Sequence, residues 1–372
     1  MRKRIVIVQR RLTHYRVPLF EKMKQYLSER DIELQLLVGQ ATNEELKKND
    51  QGYLDWAIQI PTRYFLSNRV CWQSYGKFLR NADLVIITQE NWQIYNQLLL
   101  IMPRTFKLAF WGHGRNLQSK NPAGVKEKYK SWTTKRVDWW FAYTQLSADI
   151  VVDEGFPADR ITILNNSIDT KELIKLRETI TNHEIEQLKK HMDISGRNVG
   201  VFIGSLYPQK HLDFLIKAVL KVREAIPDFE LIIIGDGPDR KKIQLWTERY
   251  SWIYWAGAKK GRDKVLFLSL GDILLHPGAI GLIMLDSFAL QMPIITTNCQ
   301  IHGPEIAYLK NNVNGVITPL DITDYSASII ALVNNRRELN RLKSNCIKYA
   351  AEYSIDNMTQ RFSDGIVQAL TS

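Results

Sequence analysis

The stretch HPGAIGLIMLDSFALQMPIITT, His276 to Thr297, gathers two glycines, an apolar run, one carboxylate and a proline-led apolar segment. Gly278 and Gly281 turn the chain after the apolar LLH, and the pattern predicts a helix beginning near Leu282 with Asp286 one turn inside it. A glycine turn feeding a helix start exposes backbone N–H groups that no helical carbonyl takes up, an arrangement suited to a phosphate or diphosphate. A carboxylate one turn further on is placed to accept hydrogen bonds from a ribose or sugar hydroxyl. A plain strand-to-helix turn with a solvated Asp has the same spacing, so the remainder of the chain must separate the two.

Working outward, short apolar runs alternate with longer amphipathic segments, as in parallel sheets covered by helices. The candidate strands of the first half are RIVIVQ, ELQLLVG, DLVIITQ, KLAFWG, WWFAYT and ITILNN. A charged helical pattern, KELIKLRETITNHEIEQLKKHM, and the breaker ISGRN follow, and the alternation resumes with VGVFIG, ELIIIG, IYWAG, DILLH and PIITT. Two such series predict two Rossmann-like α/β domains facing across a cleft, residues 1–170 and 171–352. Residues 353–372 read as a C-terminal helix packing back on the first domain. At 372 residues, with 10 Trp, 15 Tyr and 13 Phe, the chain has core enough for two domains and too much for disorder.

In open parallel sheets ligands bind beyond the carboxyl ends of the strands. In VFIGSLYPQKHLDFLIKAV, Gly204 and Ser205 follow a strand and Lys210 stands at the start of the next helix, where a cation opposes the helix dipole unless an anion is present. In LAFWGHGRN, His113 lies between two glycines with Arg115 beside it, although an isolated His is more often a packing residue. Arg10, Arg11 and Arg16, after the first strand, could meet phosphates. That segment lacks the G-x-G-x-x-G of a dinucleotide loop, which argues against NAD.

The formal charge of +11 is uneven: residues 1–170 hold 25 Lys and Arg against 17 Asp and Glu, leaving 25 against 22 for the rest. Nine basic residues between Arg104 and Arg136, interleaved with Trp111 and Trp132 and followed by Trp139 and Trp140, suggest an anionic partner such as an acidic membrane surface. No nucleic-acid motif accompanies them, which disfavours nucleic acid. Cys71, Cys299 and Cys346 are odd in number and widely spaced, with no paired spacing for zinc. With an opening apolar run too short for a signal peptide, they predict a cytoplasmic protein, peripheral at most at the inner face of a membrane. No Asp-x-Asp triplet occurs, so no catalytic metal is expected.

The order and spacing of YRVPLFEKM, ITILNNSID, GSLYPQKHLDFLIKAV, PDFELIIIGDGPDRKKI, LLHPGAIGLIMLDSFALQMPIITT and GPEIAYLKNNVNGVI resemble retaining glycosyltransferases of family 4, the glycosyl transferases group 1, which have the two-domain GT-B fold. The resemblance implies a nucleoside diphosphate sugar donor, used as substrate rather than cofactor, on the second domain, and a glycan or lipid-linked acceptor on the first. It assigns donor binding to Gly204, Ser205, Lys210, Gly278, Ala279, Ile280, Gly281, Leu282 and Asp286. Lys210 meets the donor phosphates and His113 lies beside the reacting sugar carbon, while Arg16, Arg115 and Lys259 are candidates for phosphate or acceptor contact. The family motif has glutamates at the positions of Gly278 and Asp286 and an arginine at that of Ser205. Losing that arginine removes a charge-assisted bond of about 1.5–3 kcal/mol unless Arg16, Lys259, Lys260 or Arg262 replaces it. The expected activity is sugar transfer with retention, in surface polysaccharide or lipopolysaccharide synthesis. The alternatives are a nucleotide-sugar epimerase on the same fold, a non-catalytic donor-binding protein and a basic nucleic-acid-binding protein.

Overall fold

The computed structural model describes residues 2–46, 50–114 and 125–372. The chain forms two compact units, Met1–Asp169 with Tyr353–Ser372, and Thr170–Glu352.

In the first unit the strands are β1 (Lys3–Gln9), β2 (Ile32–Val38), β3 (Ile58–Gln59), β4 (Thr62–Phe65), β5 (Val70–Gln73), β6 (Leu84–Thr88), β7 (Lys107–Gly112), β8 (Trp139–Ala142) and β9 (Ile161–Ile163). Seven of them form one sheet in the order β3-β2-β1-β6-β7-β8-β9, parallel throughout. β4 and β5 make a separate antiparallel hairpin. Side chains on both faces of β1, Ile5 to Val8, are buried, which is why that strand reads as a continuous apolar run rather than an alternating one.

The helix Ile355–Thr371 supplies Met358, Phe362 and Ile366 to the same core as Ile5, Ile7 and Trp111. Phe362 meets the Trp111 ring at 4.9 Å and the Phe141 ring at 4.6 Å. Gly365 permits this approach, because a Cβ there would stand 2.3 Å from Thr162 Oγ1.

The second unit carries β10 (Asn198–Ile203), β11 (Phe229–Ile234), β12 (Ile253–Gly257), β13 (Ile273–His276), β14 (Ile294–Thr297) and β15 (Gly315–Thr318). They form a parallel sheet in the order β12-β11-β10-β13-β14-β15. The chain starts in the middle at β10, runs to one edge, then returns to β13 and runs to the other. The reversal between β10 and β13 opens a crevice at their carboxyl ends.

The charged pattern between the two series forms two helices, Lys171–Thr179 and Asn182–His191, rather than one. Ile180 leaves the helical region, and Thr181 starts the second helix with a capping box in which its hydroxyl accepts from Glu184 N–H while the Glu184 carboxylate accepts from Thr181 N–H. Among the described residues no helix is long and apolar enough to cross a membrane.

Candidate active site

Gly204 and Ser205 follow β10, and Pro277 to Leu282 follow β13, so both loops lie at the crevice of the second unit. A backbone bond joins them, Ala279 N–H donating to Gln209 O at 2.8 Å, and Gly303 N–H, from the loop after β14, donates to Ile280 O at 2.7 Å. Gly278 lies close against the other loop. A Cβ on it would lie 2.3 Å from Gln209 O, 2.5 Å from Lys210 C and 2.7 Å from Lys210 Cα.

Lys210 is not on the helix that follows it. It ends the short turn Pro208–Lys210, and His211, in the left-handed region at φ 54°, redirects the chain before the helix Leu212–Ala225 begins. The dipole therefore does not explain this lysine; its ammonium instead donates to Ala279 O inside the glycine turn. Burial lowers its pKa from 10.5 to about 8, and Cys299 pulls weakly the other way.

Asp286 lies in the first turn of the helix Ile283–Ala289 and is buried. Its Oδ2 accepts from Lys264 Nζ at 2.5 Å, while its Oδ1 is buried with no hydrogen-bond partner. Such an orphaned acceptor costs about 1–3 kcal/mol, which an arriving hydroxyl would recover.

Behind the glycine turn stands His302. Its Nδ1 accepts from Ile280 N–H at 3.3 Å and its Nε2 pairs with Thr297 O at 2.7 Å, an arrangement met by the neutral ring with the proton on Nε2. Burial lowers the His302 pKa and keeps the ring neutral. His276, at the end of β13, is stacked on Phe202 at 4.6 Å, and its pKa is pushed well down by burial and then by the charge of Lys210.

The other predicted residues have varied surroundings. Lys259 lies with Nζ 4.5 Å from the Phe267 ring centre, Arg262 donates to Glu184 at 2.6 Å, and Lys260 is exposed. His113 follows β7 in the first unit, is exposed, and meets the Tyr143 ring edge-on at 4.2 Å. Arg16 is buried in that unit, where it donates to Asn166 Oδ1 at 2.8 Å and lies 4.9 Å from the Trp111 ring. Those contacts hold its guanidinium in the interior of that unit. Arg10 and Arg11 are likewise taken up by Glu45 and Asp50. Arg115 lies outside the described residues.

Of the tryptophans in the basic stretch, Trp111, Trp139 and Trp140 belong to the core, whereas Trp132 is exposed beside Arg136. Sequence reasoning missed Lys264 and His302. Nothing in GRDKVLFL marks Lys264 apart from an ordinary helical lysine, and IHGPE carries a lone His among loop residues.

Residues 184–352 match the model of the family Glycosyl transferases group 1. An uncharacterized glycosyltransferase of Methanocaldococcus jannaschii is 26% identical over 163 residues, covering 42% of this chain and 44% of its own length. The GtfA subunit of a Streptococcus agalactiae UDP-N-acetylglucosamine–peptide N-acetylglucosaminyltransferase is 25% identical over 240 residues, 55% of this chain and 44% of its own. The chain thus spans less than half the length of these curated relatives. Anabaena HepE, solved in complex with UDP, superposes with a TM-score of 0.70 at 14% identity over 98% of this chain and 99% of its own. The apo lipopolysaccharide outer core galactosyltransferase WaaB gives 0.67 at 16% identity over 98% and 99%. The architecture is therefore that of two Rossmann-like halves as in these structures, and residues 184–352 match a glycosyl transferases group 1 domain.

Proposed function

We propose that the protein is a glycosyltransferase that moves a sugar from a nucleoside diphosphate donor to a glycan or lipid-linked glycan acceptor, with retention at the anomeric carbon and without a metal. The observation that carries it is the half-buried Lys210 ammonium tied to the glycine turn, with the buried, unpartnered Asp286 oxygen in the first turn of the helix that follows. As the bond from the anomeric carbon to the diphosphate breaks, its electron pair passes to the phosphate oxygen; the acceptor hydroxyl bonds the anomeric carbon from the same face and gives its proton to the leaving phosphate. Lys210 and the N–H groups at the helix start stabilise that charge. Asp286 accepts from a ribose hydroxyl and His113 orients the reacting sugar. The acceptor belongs to surface polysaccharide or lipopolysaccharide synthesis.

Incubation with UDP-, GDP- and dTDP-sugars in the absence of acceptor tests the reading. Released nucleotide supports transfer chemistry and an isomerised donor indicates an epimerase, whereas no binding of any donor by thermal shift overturns it.

Three further outcomes are expected. Asp286→Asn raises the Kd for a nucleoside diphosphate by about fivefold to tenfold, because a bond to a charged acceptor becomes one to a neutral amide oxygen. The penalty shrinks for the deoxyribose analogue that lacks the bonded hydroxyl. Equal penalties across UDP, 2′-deoxy-UDP and 3′-deoxy-UDP would leave Asp286 a structural partner of Lys264. His113→Ala lowers transfer by about a hundredfold, the scale of a misplaced reacting group, with nucleotide affinity within about twofold by calorimetry. A parallel loss of binding would remove that division of labour.

Finally, the basic stretch rests on anionic lipid. Vesicle binding then rises with anionic lipid content and falls with salt, and replacing Lys126, Lys128 and Lys130 with Gln weakens it by up to about 1 kcal/mol per residue. Failure of the unaltered protein to sediment with anionic vesicles at low salt removes the membrane role. The structure does not describe the side chains of Lys126 and Lys130.

A further inference from the structure

The two oxygens of Asp286 have different surroundings. Oδ2 accepts from Lys264 Nζ at 2.5 Å, and Oδ1 is buried without a partner. The pair is not a solvated surface contact, since the side chains are only 11% and 20% exposed. A carboxylate with both oxygens open can serve two neighbouring hydroxyls, one on each oxygen. Here Oδ2 already holds a charge-assisted bond to an ammonium at 2.5 Å, which leaves it one lone pair and makes it the weaker acceptor for a hydroxyl. A neutral hydroxyl that displaced the ammonium would gain a weaker bond and leave a partly buried cation unpaired.

We propose, resting on the donor-binding role above, that Lys264 is a specificity-determining residue. By holding Oδ2 it restricts Asp286 to one hydroxyl of the donor ribose, read through Oδ1, and leaves the site indifferent to the other. A nucleoside diphosphate lacking that second hydroxyl, on a 2′- or 3′-deoxyribose, is then as good a ligand as the parent. The hydroxyl that is read is demanded strictly, because its absence leaves a buried acceptor unpaired.

Calorimetry on the full chain with UDP, 2′-deoxy-UDP and 3′-deoxy-UDP, repeated with the three corresponding guanosine compounds, tests this without any variant. One deoxy analogue is expected to bind within about twofold of the parent and the other to be weaker by about tenfold or more. In Lys264→Met, which opens Oδ2, the tolerated analogue also falls behind the parent. The proposal is overturned if both analogues weaken alike in the unaltered protein, if neither weakens, or if a folded Lys264→Met keeps the one-sided pattern. In each of these cases the parent nucleotide still binds and donor binding by the protein stands; if neither analogue weakens, Asp286 alone is removed from the ribose. If neither UDP nor GDP binds at all, that role fails and the proposal fails with it.

Discussion

Lys210→Ala is expected to weaken nucleoside diphosphate binding by about 10- to 100-fold, the scale of a lost bond between an ammonium and an anion, and to lower turnover at least as far. The lysine is half-buried, its ammonium donates to the Ala279 carbonyl beside the Tyr207 ring, no carboxylate pairs with it among the described residues, and burial has brought its pKa down to about 8. A diphosphate arriving beside it supplies the counter-charge that the fold does not. The same shift sets a pH dependence. The protonated form binds the anion, so affinity should fall as pH rises above about 8, and this step should vanish in Lys210→Ala.

Folding responds in the opposite sense. Between about 8 and the unfolded value of 10.5 the unfolded chain holds the proton that the folded chain releases, so this residue's contribution makes stability rise with pH across that window. Calorimetry of UDP and GDP binding between pH 6.5 and 9.5 measures the first effect. Unchanged affinity and rate in Lys210→Ala would remove the lysine from the phosphate site.

Gly278→Glu should fail to restore the acid found at this position in the family motif. The atoms that a Cβ would meet at 2.3–2.7 Å are the backbone of Gln209 and Lys210, with no side chain able to swing aside. Either the turn moves or Lys210 does, and Lys210 is the residue on which donor binding is proposed to depend. Overpacking of this kind costs about 1–3 kcal/mol, or roughly 2–12 °C in the melting temperature of a unit this size. Nucleotide affinity should fall by about tenfold or more with it. Gly278→Ala separates the two contributions, since it introduces the clash without the charge. A Gly278→Glu protein that melts like the unaltered one and binds nucleotide more tightly would show that the turn can accept a side chain.

The strands buried on both faces were legible in the sequence because a strand covered on two sides is a continuous apolar run, as in RIVIVQ, VGVFIG and ELIIIG. β15 was not, because GVIT is four residues long and lies among asparagines and a glycine. Nor was the β4–β5 hairpin, whose turn puts Leu66, Ser67 and Asn68 at positive φ with no glycine to announce it.

At the site, the glycine turn and Asp286 were readable because their spacing is local. The Lys264 contact joins residues 22 apart in sequence, and Arg16 finds Asn166 across 150. Sequence distance hides such pairs: charge alone made Arg16 look available, and nothing made Lys264 look engaged.

The return of helix Ile355–Thr371 to the first unit also sets an order of manufacture. Residues 1–169 leave the ribosome without the Met358, Phe362 and Ile366 side chains that complete their core, and the whole of Thr170–Glu352 is made before those arrive. At about 5–20 residues per second the interval is roughly 10–40 seconds. During it the contiguous second unit can close on itself, while the first keeps a helix-shaped apolar groove open to whatever nascent-chain chaperone reaches it.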